Sequence, residues 1–240
     1  MTGRLIGVGV GPGDPELLTL KALDALRCAD VVAYFAKAGK ASNARTIVAD
    51  HLNGTEELPL LYPVTTEIPK EQAAYRDAIG DFYDVSAAAV ASYLDDGRSV
   101  AVLSEGDPLF YGSYMHLHVR LSGRYHTEVI AGVTGMSGCW SSAATPMTQG
   151  DDVFTVLPGT LPEVELERRL AEADAAVVMK IGRHLPKIRR ALDRAGCLDR
   201  AIYVERGTMT NAAVMKLTEK LDMTAPYFAI VLVPGWEERR

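Results

Sequence analysis

The sequence predicts an α/β protein of two domains with a ligand cleft between them. Short apolar runs rich in β-forming residues alternate with amphipathic stretches of helix length, which is typical of strands joined by crossover helices. The 240 residues are enough for two domains of about 100–130 residues each. Residues 145–150 carry Pro, Gly and small polar residues between two periodic regions, as linkers do. We therefore expect an N-terminal α/β domain at 1–146 and a C-terminal α/β domain at 147–240.

The hydrophobic periodicity places the elements along the chain. The predicted strands are 5–9, 30–35, 57–61, 99–103, 127–131, 153–157, 175–180, 201–206, 214–217 and 227–233. The predicted helices are 15–27, 44–52, 70–95, 114–121, 137–143, 162–171 and 185–195. A break in the third helix is expected near Gly80, because glycine is a poor helix former.

Composition excludes several classes of protein. A hydrophobic content of 48% with 23% charged residues is that of a soluble globular chain, and no apolar run approaches the roughly 20 residues of a membrane span. The net charge of −6 disfavours a nucleic-acid partner. Three widely spaced cysteines and the absence of a signal-peptide pattern favour a reducing cytoplasm. No metal site is expected, since His116 and His118 are two residues apart and so face different sides of a helix.

The most informative stretch is Gly7-Val8-Gly9-Val10-Gly11-Pro12-Gly13-Asp14-Pro15, which follows a strand and opens a helix. It fails the dinucleotide fingerprint G-x-G-x-x-G, because the sixth position is Pro12 or Asp14. Pro12 and Pro15 also lack the backbone N–H that a phosphate cradle uses. Asp14 is better interpreted as an N-cap with Pro15 at the first helical position. The loop therefore suits a ligand that is not anionic at this point.

A second loop repeats this chemistry. Ser104-Glu105-Gly106-Asp107-Pro108 follows the strand at 99–103, so an acidic residue again precedes a proline at the carboxyl end of a strand. In open α/β sheets ligands bind outside the carboxyl ends of the strands. Two such loops suit a ligand with hydroxyls and a positive centre, and S-adenosylmethionine has both in its ribose and its sulfonium.

The chain resembles the tetrapyrrole methylases, a family of S-adenosylmethionine-dependent methyltransferases, over essentially its whole length. The residues that carry the resemblance are Gly9-Val10-Gly11-Pro12-Gly13-Asp14-Pro15-Glu16-Leu17-Leu18-Thr19-Leu20-Lys21-Ala22, Glu105-Gly106-Asp107-Pro108 and Gly132-Val133-Thr134-Gly135-Met136-Ser137. Within the family, residues 105–113, 156–162 and 179–187 are similar to the precorrin-2 C(20)-methyltransferase branch. Glu105 stands where the uroporphyrinogen methylases usually have a second glycine, so that branch fits less well.

The resemblance implies a homodimer of two-domain subunits with the methyl donor in the interdomain cleft. It implies a set of donor contacts, in which a glycine stands at residue 135 where relatives often have Ser or Ala. These donor contacts are Pro12, Glu105, Gly106, Asp107, Phe110, Thr134, Gly135, Met179 and Gly207. The expected product of the donor is S-adenosylhomocysteine. The implied reaction is methylation of precorrin-2 at C(20) to precorrin-3A in cobalamin biosynthesis.

Methyl transfer from a sulfonium to an electron-rich carbon requires positioning more than acid–base chemistry. We therefore expect no catalytic triad, leave the proton acceptor open and predict that Asp107 orients the donor. Because the tetrapyrrole carries several carboxylates, cationic and aromatic side chains near strand ends are candidate substrate contacts. These substrate candidates are Lys37, Tyr111, Arg183 and His184, with Lys40, Arg45 and Lys187 as further cations.

Two alternatives stay open at this point. Within the family, the substrate could be cobalt-factor II of the anaerobic pathway, or another tetrapyrrole such as uroporphyrinogen III. From another class, the chain could be a nucleotide-binding module without turnover, which the failed fingerprint of the first loop disfavours.

Overall fold

A computed structural model describes residues 2–52, 54–63 and 73–235. Contacts divide the chain into two compact units, Met1–Thr134 and Gly135–Arg240. The division falls before the predicted boundary at 146, because Cys139 and Met147 belong to the hydrophobic core formed by strands of the second unit. The segment interpreted as a linker therefore lies inside the second unit. Among the described residues, no helix is long and apolar enough to cross a membrane.

The first unit is a five-stranded sheet in the order β3-β2-β4-β1-β5, with neighbouring strands parallel. Its strands are β1 (Arg4–Gly9), β2 (Val31–Lys37), β3 (Glu56–Tyr62), β4 (Val100–Ser104) and β5 (His126–Ile130). Its helices are α1 (Leu20–Cys28), α2 (Asn43–Ile47), α3 (Ala73–Asp95) and α4 (Tyr114–Leu121).

Helices cover both faces of this sheet, as a parallel sheet requires. Along β4, Val100 and Val102 pack with α3 and α4, whereas Ala101 and Leu103 pack with α1 and α2. Successive residues of a strand point to opposite faces, so these two cores define the α3/α4 face and the α1/α2 face of the sheet. The carboxyl ends of all five strands consequently share one edge.

The second unit is a mixed five-stranded sheet in the order β6-β7-β10-β8-β9, in which β10 is antiparallel to both neighbours. Its strands are β6 (Phe154–Pro158), β7 (Ala175–Met179), β8 (Ile202–Glu205), β9 (Ala213–Lys216) and β10 (Ala229–Val233). Its helices are α5 (Gly135–Ser142), α6 (Glu163–Glu172) and α7 (Leu185–Arg194). The predicted α/β class with two sheets is confirmed.

Three predicted helices differ from the observed ones. Asp14 caps the first turn, as expected, by accepting from Glu16 N at 2.9 Å, but that turn is a 3-10 turn. The α-helix restarts at Leu20, where the Thr19 side chain accepts from Ala22 N. The predicted helix 44–52 is α2 followed by a separate 3-10 turn. The predicted break near Gly80 is wrong, because α3 is continuous over Ala73–Asp95, and 70–72 lie outside the described residues.

Gly80 leads to a prediction about stability. A Cβ at this helical position would meet nothing within 4 Å. Because glycine in a helix interior costs about 0.5–1 kcal/mol relative to alanine, Gly80→Ala should raise the free energy of unfolding by about that amount. Urea denaturation of both proteins measures it, and a destabilised variant would contradict a continuous α3.

Candidate active site

Three loops leave the carboxyl edge of the first sheet and touch one another through their backbones. They are loop 1 (10–15, after β1), loop 2 (105–113, after β4) and loop 3 (131–134, after β5). Val10 N donates to Ser104 O at 2.9 Å, and Gly106 N donates to Gly11 O at 2.8 Å. Loops 1 and 2, whose shared chemistry was noted in the sequence, therefore form one edge of the sheet.

Glycine lets loops 2 and 3 approach the end of β1 more closely than any side chain would allow. A Cβ at Gly132 would overlap the carbonyl oxygen of Gly106 and lie 2.8 Å from Gly9 Cα. A Cβ at Gly9 would lie 2.5 Å from Gly132 N. Gly106 adopts a φ of 65°, in the left-handed region that glycine tolerates best. The three backbones thus meet where only glycine fits.

Asp107 connects two of these loops. One carboxylate oxygen accepts from Leu109 N at 2.9 Å within loop 2, and the other accepts from Gly132 N in loop 3 at 3.2 Å. Asp107 therefore fixes the separation of loops 2 and 3. The role of Asp107 in orienting a methyl donor remains a prediction. The contacts establish that its carboxylate holds the backbone amides of Leu109 and Gly132.

Glu105 lies on the α1/α2 face, where it meets the start of α2. Burial raises the pKa of Glu105 to about 7, against which hydrogen bonds from the Asn43 side chain and the Ala44 backbone act. The Glu105 side chain thereby connects loop 2 to α2.

The end of loop 2 presents aromatic side chains. Tyr111 is 46% exposed, has a φ of 56° and contacts the Phe110 ring edge-on at 4.8 Å between centroids. Two residues later, the Ser113 hydroxyl is hydrogen-bonded to Tyr62 and, at 3.3 Å, accepts from Tyr83. Tyr62 is thus part of a packed aromatic cluster with Phe35, Phe82 and Tyr83. Tyr111, the candidate substrate contact, therefore has a more accessible side chain than Tyr62.

The remaining candidates of the first unit flank these loops. Pro12 lies in loop 1, partly buried, and Thr134 ends loop 3. Lys37 is the last residue of β2, at the same edge of the sheet. The first unit therefore brings Pro12, loop 2, Thr134 and Lys37 to one edge.

In the second unit, three predicted donor contacts are grouped around one helix. Gly135 begins α5, and Met179 ends β7 and packs against the core that contains Cys139 of that helix. A Cβ at Gly207 would lie 2.8 Å from Cys139 Sγ and 3.0 Å from its Cα, so Gly207 fits only without a side chain. The Cys139 thiol accordingly belongs to the packing of the 206–208 loop, and burial raises its pKa to about 11.

Backbone strain is concentrated in the same loops. Five described residues other than glycine have a positive φ, and all but one of them lie in loop 2 or in the loops that follow β7 and β8. These four residues are Tyr111, Lys180, Arg206 and Thr208. Such conformations persist only where surrounding structure holds them, and they occur preferentially at functional sites. The observation supports these loops as the functional part of each unit.

The cationic candidates of the second unit lie together before and within α7. Arg183 is exposed and His184 partly buried, both in a 3-10 turn (Gly182–His184), and Lys187 donates from Nζ to Leu161 O at 2.5 Å. Burial lowers the pKa of His184, and the neighbouring Lys187 and Arg183 lower it further. His184 is therefore held neutral near pH 7, whereas Arg183 offers a charge to an anionic ligand.

His116 and His118 have separate partners. The His116 ring stacks on Tyr83 at 4.0 Å, and His118 Nδ1 lies 3.3 Å from the Tyr114 hydroxyl. In the parts of the chain that the structure describes, no group of three or more His, Cys, Asp or Glu residues could hold a metal ion.

Sequence reasoning missed several residues that shape the site. Asn43 and Cys139 act through partners distant in the sequence, and no local pattern indicates those partners. Ser104 has a buried hydroxyl without a hydrogen-bond partner in the described residues, a property that only the folded structure reveals. Gly132 was noted only as part of a motif, although its proximity to Gly106 explains why glycine is required.

The sequence matches the profile of the family described as Tetrapyrrole (Corrin/Porphyrin) Methylases over residues 4–222. Because that match spans most of the chain, the chain belongs to the tetrapyrrole methylase family, and the resemblance seen in its motifs is confirmed.

Two curated relatives and one solved structure show which members of the family this chain resembles. A precorrin-2 C(20)-methyltransferase from Sinorhizobium sp is 66% identical over 238 residues, covering 99% of this chain and 97% of the relative. A cobalt-precorrin-2 C(20)-methyltransferase from Salmonella typhimurium is 26% identical over 244 residues, covering 99% of both chains. Among solved structures, the methyltransferase CobJ has a TM-score of 0.67 at 21% identity, covering 100% of this chain and 97% of that one, which shows a shared fold.

Proposed function

We propose that this chain transfers a methyl group from S-adenosylmethionine to C(20) of precorrin-2, giving precorrin-3A on the route to cobalamin. The observation that carries the proposal is the 66% identity to a precorrin-2 C(20)-methyltransferase over nearly the full length of both chains. The relative named for the cobalt-containing substrate is 26% identical over a similar length, so the metal-free substrate is favoured.

The residues at the edge of the first sheet fit such a donor. Loop 1 offers no phosphate cradle, since Pro12 and Pro15 lack an N–H, and this disfavours a nucleotide with a pyrophosphate. Glu105 and Asp107 flank Gly106, whose left-handed backbone turns the chain at the carboxyl edge of the sheet. We propose Pro12, the 105–107 turn, Phe110 and Thr134 as donor contacts in this unit. Gly135, Met179 and Gly207 of the second unit stay predicted donor contacts.

Bound S-adenosylmethionine supplies an electrophilic methyl group on its sulfonium. The contribution of the chain is to hold the reacting atoms in line, which can account for much of the rate of such a displacement. Asp107 serves this by connecting loops 2 and 3, and the glycines at 9, 106 and 132 keep those loops in backbone contact. The exposed ring of Tyr111 and the charges of Lys37 and Arg183 are proposed to contact the tetrapyrrole, with His184 as a neutral hydrogen-bonding partner.

A direct assay tests the proposed reaction. Purified protein is incubated under anaerobic conditions with methyl-labelled S-adenosylmethionine and either precorrin-2 or cobalt-factor II, and the product is analysed by mass spectrometry and NMR. We expect label at C(20) and faster turnover of the metal-free substrate. Preferential turnover of cobalt-factor II would favour the anaerobic alternative. A separate thermal-shift measurement tests the class of enzyme: a rise in melting temperature with NAD or ATP but not with S-adenosylhomocysteine would contradict a methyltransferase.

The role of Arg183 yields a separate prediction. If Arg183 contacts a substrate carboxylate, Arg183→Ala should raise the Kd for the tetrapyrrole about tenfold at low ionic strength and reduce its salt dependence, since exposed charges are screened by salt. Arg168→Ala is the matched control, because Arg168 is paired with Glu165 and Glu172 on α6. Equal Kd values for wild type and Arg183→Ala across salt concentrations would mean that Arg183 is an ordinary surface charge.

We also propose a homodimer, which rests on the family resemblance, and a cytoplasmic location, which rests on the three widely spaced cysteines. Sedimentation equilibrium of the purified protein tests the dimer, and a mass of one subunit at micromolar concentration would contradict it.

A further inference from the structure

Ser104 is the last residue of β4 and is 6% exposed. Its Oγ has no hydrogen-bond partner within the described part of the chain. An unpaired buried hydroxyl costs free energy, and native structures keep such groups rarely and usually for a reason, such as a bound ligand or water. The position of Ser104 in the sheet indicates which reason applies.

The sheet opens beside Ser104. Strand β2 pairs with β4 only as far as Ala33 and Val102, whereas β4 continues alongside β1 to the pair of Gly9 and Ser104. Beyond Ala33, β2 remains paired with β3 up to Lys37 and Tyr62. The ends of β2 and β4 therefore diverge, and Ser104 has a sheet neighbour on the β1 side alone.

The chain leaves these two strands toward opposite faces. After β2 it enters α2, whose Ala44 and Ile47 belong to the α1/α2 face. After β4 it enters α4, whose Tyr114 and Leu117 belong to the α3/α4 face. Adjacent strands with crossovers on opposite faces define a topological switch point, and ligands of open α/β sheets bind in the crevice at that point. Ser104 lies at this crevice.

The side-chain direction of Ser104 follows from the alternation of β4. Val100 and Val102 face α3 and α4, so Ser104 does too, on the same face as Phe35 and Tyr62. The next residue, Glu105, faces α2 and has partners there. Ser104 and the residue that follows β4 thus differ: the Glu105 side chain has hydrogen-bond partners within the protein, and the Ser104 hydroxyl has none among the described residues.

From these observations we infer that Ser104 is a ligand-contact residue whose hydroxyl donates a hydrogen bond to an oxygen of a molecule bound at the switch point. This inference rests on the proposed function and adds a contact to it. Both the amino-acid carboxylate of the methyl donor and the carboxylate side chains of the tetrapyrrole offer such an oxygen. The experiment below separates these two sources.

The experiment compares wild type with Ser104→Ala, Ser104→Cys and Ser86→Ala. Ser86 is a buried serine of α3, 3% exposed, and serves as the matched control. Three quantities are measured: the melting temperature without ligand, the Kd for S-adenosylhomocysteine by calorimetry, and the KM for the tetrapyrrole. Cysteine keeps the size of the side chain but is a weak donor, so its ligand constants should lie between those of serine and alanine.

We expect Ser104→Ala to melt at the wild-type temperature or above it, because an unpaired hydroxyl is removed. Loss of one hydrogen bond should weaken ligand binding about three- to tenfold. A raised Kd for S-adenosylhomocysteine identifies the donor as the partner, and a raised tetrapyrrole KM with an unchanged Kd identifies the substrate.

Two results overturn the inference. If both constants stay within twofold of wild type, Ser104 contacts neither ligand. If unliganded Ser104→Ala melts lower than wild type, the hydroxyl serves the fold instead. Failure of the proposed function is distinguishable, since in that case the wild-type protein itself binds neither S-adenosylhomocysteine nor the tetrapyrrole.

Discussion

Replacement of Gly132 by alanine is expected to destabilise the first unit by about 3 kcal/mol or more and to abolish measurable binding of S-adenosylhomocysteine. The added Cβ would overlap Gly106 O and approach Gly9 Cα at 2.8 Å. These are backbone atoms at the ends of two strands, β4 and β1, so they cannot move aside as the tip of a side chain could. Overpacking of this kind costs about 1–3 kcal/mol even where neighbours adjust. Displacing loop 3 would also break the hydrogen bond from Gly132 N to Asp107.

Gly123→Ala is the matched control for this prediction, since a Cβ at Gly123 would meet nothing within 4 Å. Urea denaturation and calorimetric titration of the two variants and wild type give the comparison. A Gly132→Ala protein as stable as Gly123→Ala, with wild-type donor affinity, would show that loops 2 and 3 are not in backbone contact in solution.

Glu105→Gln is expected to stabilise the protein at pH 8 by about 3 kcal/mol and to have little effect near pH 4.5. Burial raises the folded-state pKa of Glu105 from 4.5 to about 7. For a carboxyl whose folded pKa is raised, the folded state favours the protonated form. The contribution of the protonated Glu105 side chain to the free energy of unfolding is fully present below pH 4.5. It is lost as the pH rises through about 7, and its size is about 1.4 kcal/mol for each unit by which the pKa is raised. Glutamine is neutral at every pH and keeps the acceptor oxygen for Asn43 and Ala44.

The measurement is the free energy of unfolding of both proteins at pH 4.5 and pH 8. Glu57→Gln is a control of opposite sign, because the hydrogen bond from Arg45 lowers the pKa of Glu57. The ionised Glu57 side chain therefore contributes to the stability of the fold above pH 4.5, and this contribution is lost as the pH falls below that value. That variant should be less stable than wild type at pH 8. A Glu105→Gln protein that is likewise less stable at pH 8 would mean that Glu105 is charged and stabilised at the start of α2.

Most of the secondary structure was predictable from local pattern. The central strands β1 and β4 of the first unit are buried on both faces, so they appear in the sequence as nearly continuous apolar runs, such as residues 100–103 of β4. Helix α4 was predicted with its observed bounds, Tyr114–Leu121. Prediction failed where local propensity and tertiary packing disagree. Gly80 did not break α3, since the helix is held by its packing against the sheet and α4.

The candidate site was predictable only in part. Loops 1 and 2 are recognisable in the sequence because glycine, acidic residues and proline follow apolar strands, and such turn-forming residues act locally. The adjacency of these loops follows from the pairing of β1 with β4 and is seen in the hydrogen bond from Gly106 N to Gly11 O. The partners of Asp107 and Glu105 were unpredictable, because Gly132 and Asn43 are distant in the sequence and reach them only after the strands have paired.

The sequence by itself determined the α/β class, the motifs of the tetrapyrrole methylases and the exclusion of a phosphate cradle in loop 1, because backbone N–H groups and glycine spacing are fixed by residue identity. Only the tertiary structure decided that the Asp107 carboxylate accepts hydrogen bonds from backbone amides and that Glu105 is buried against α2. It also decided that Ser104 ends β4 with a hydroxyl that has no partner among the described residues, at the point where β2 diverges from β4. These properties depend on strand order and on which face each side chain takes. Both arise from long-range pairing, which no local stretch of residues specifies.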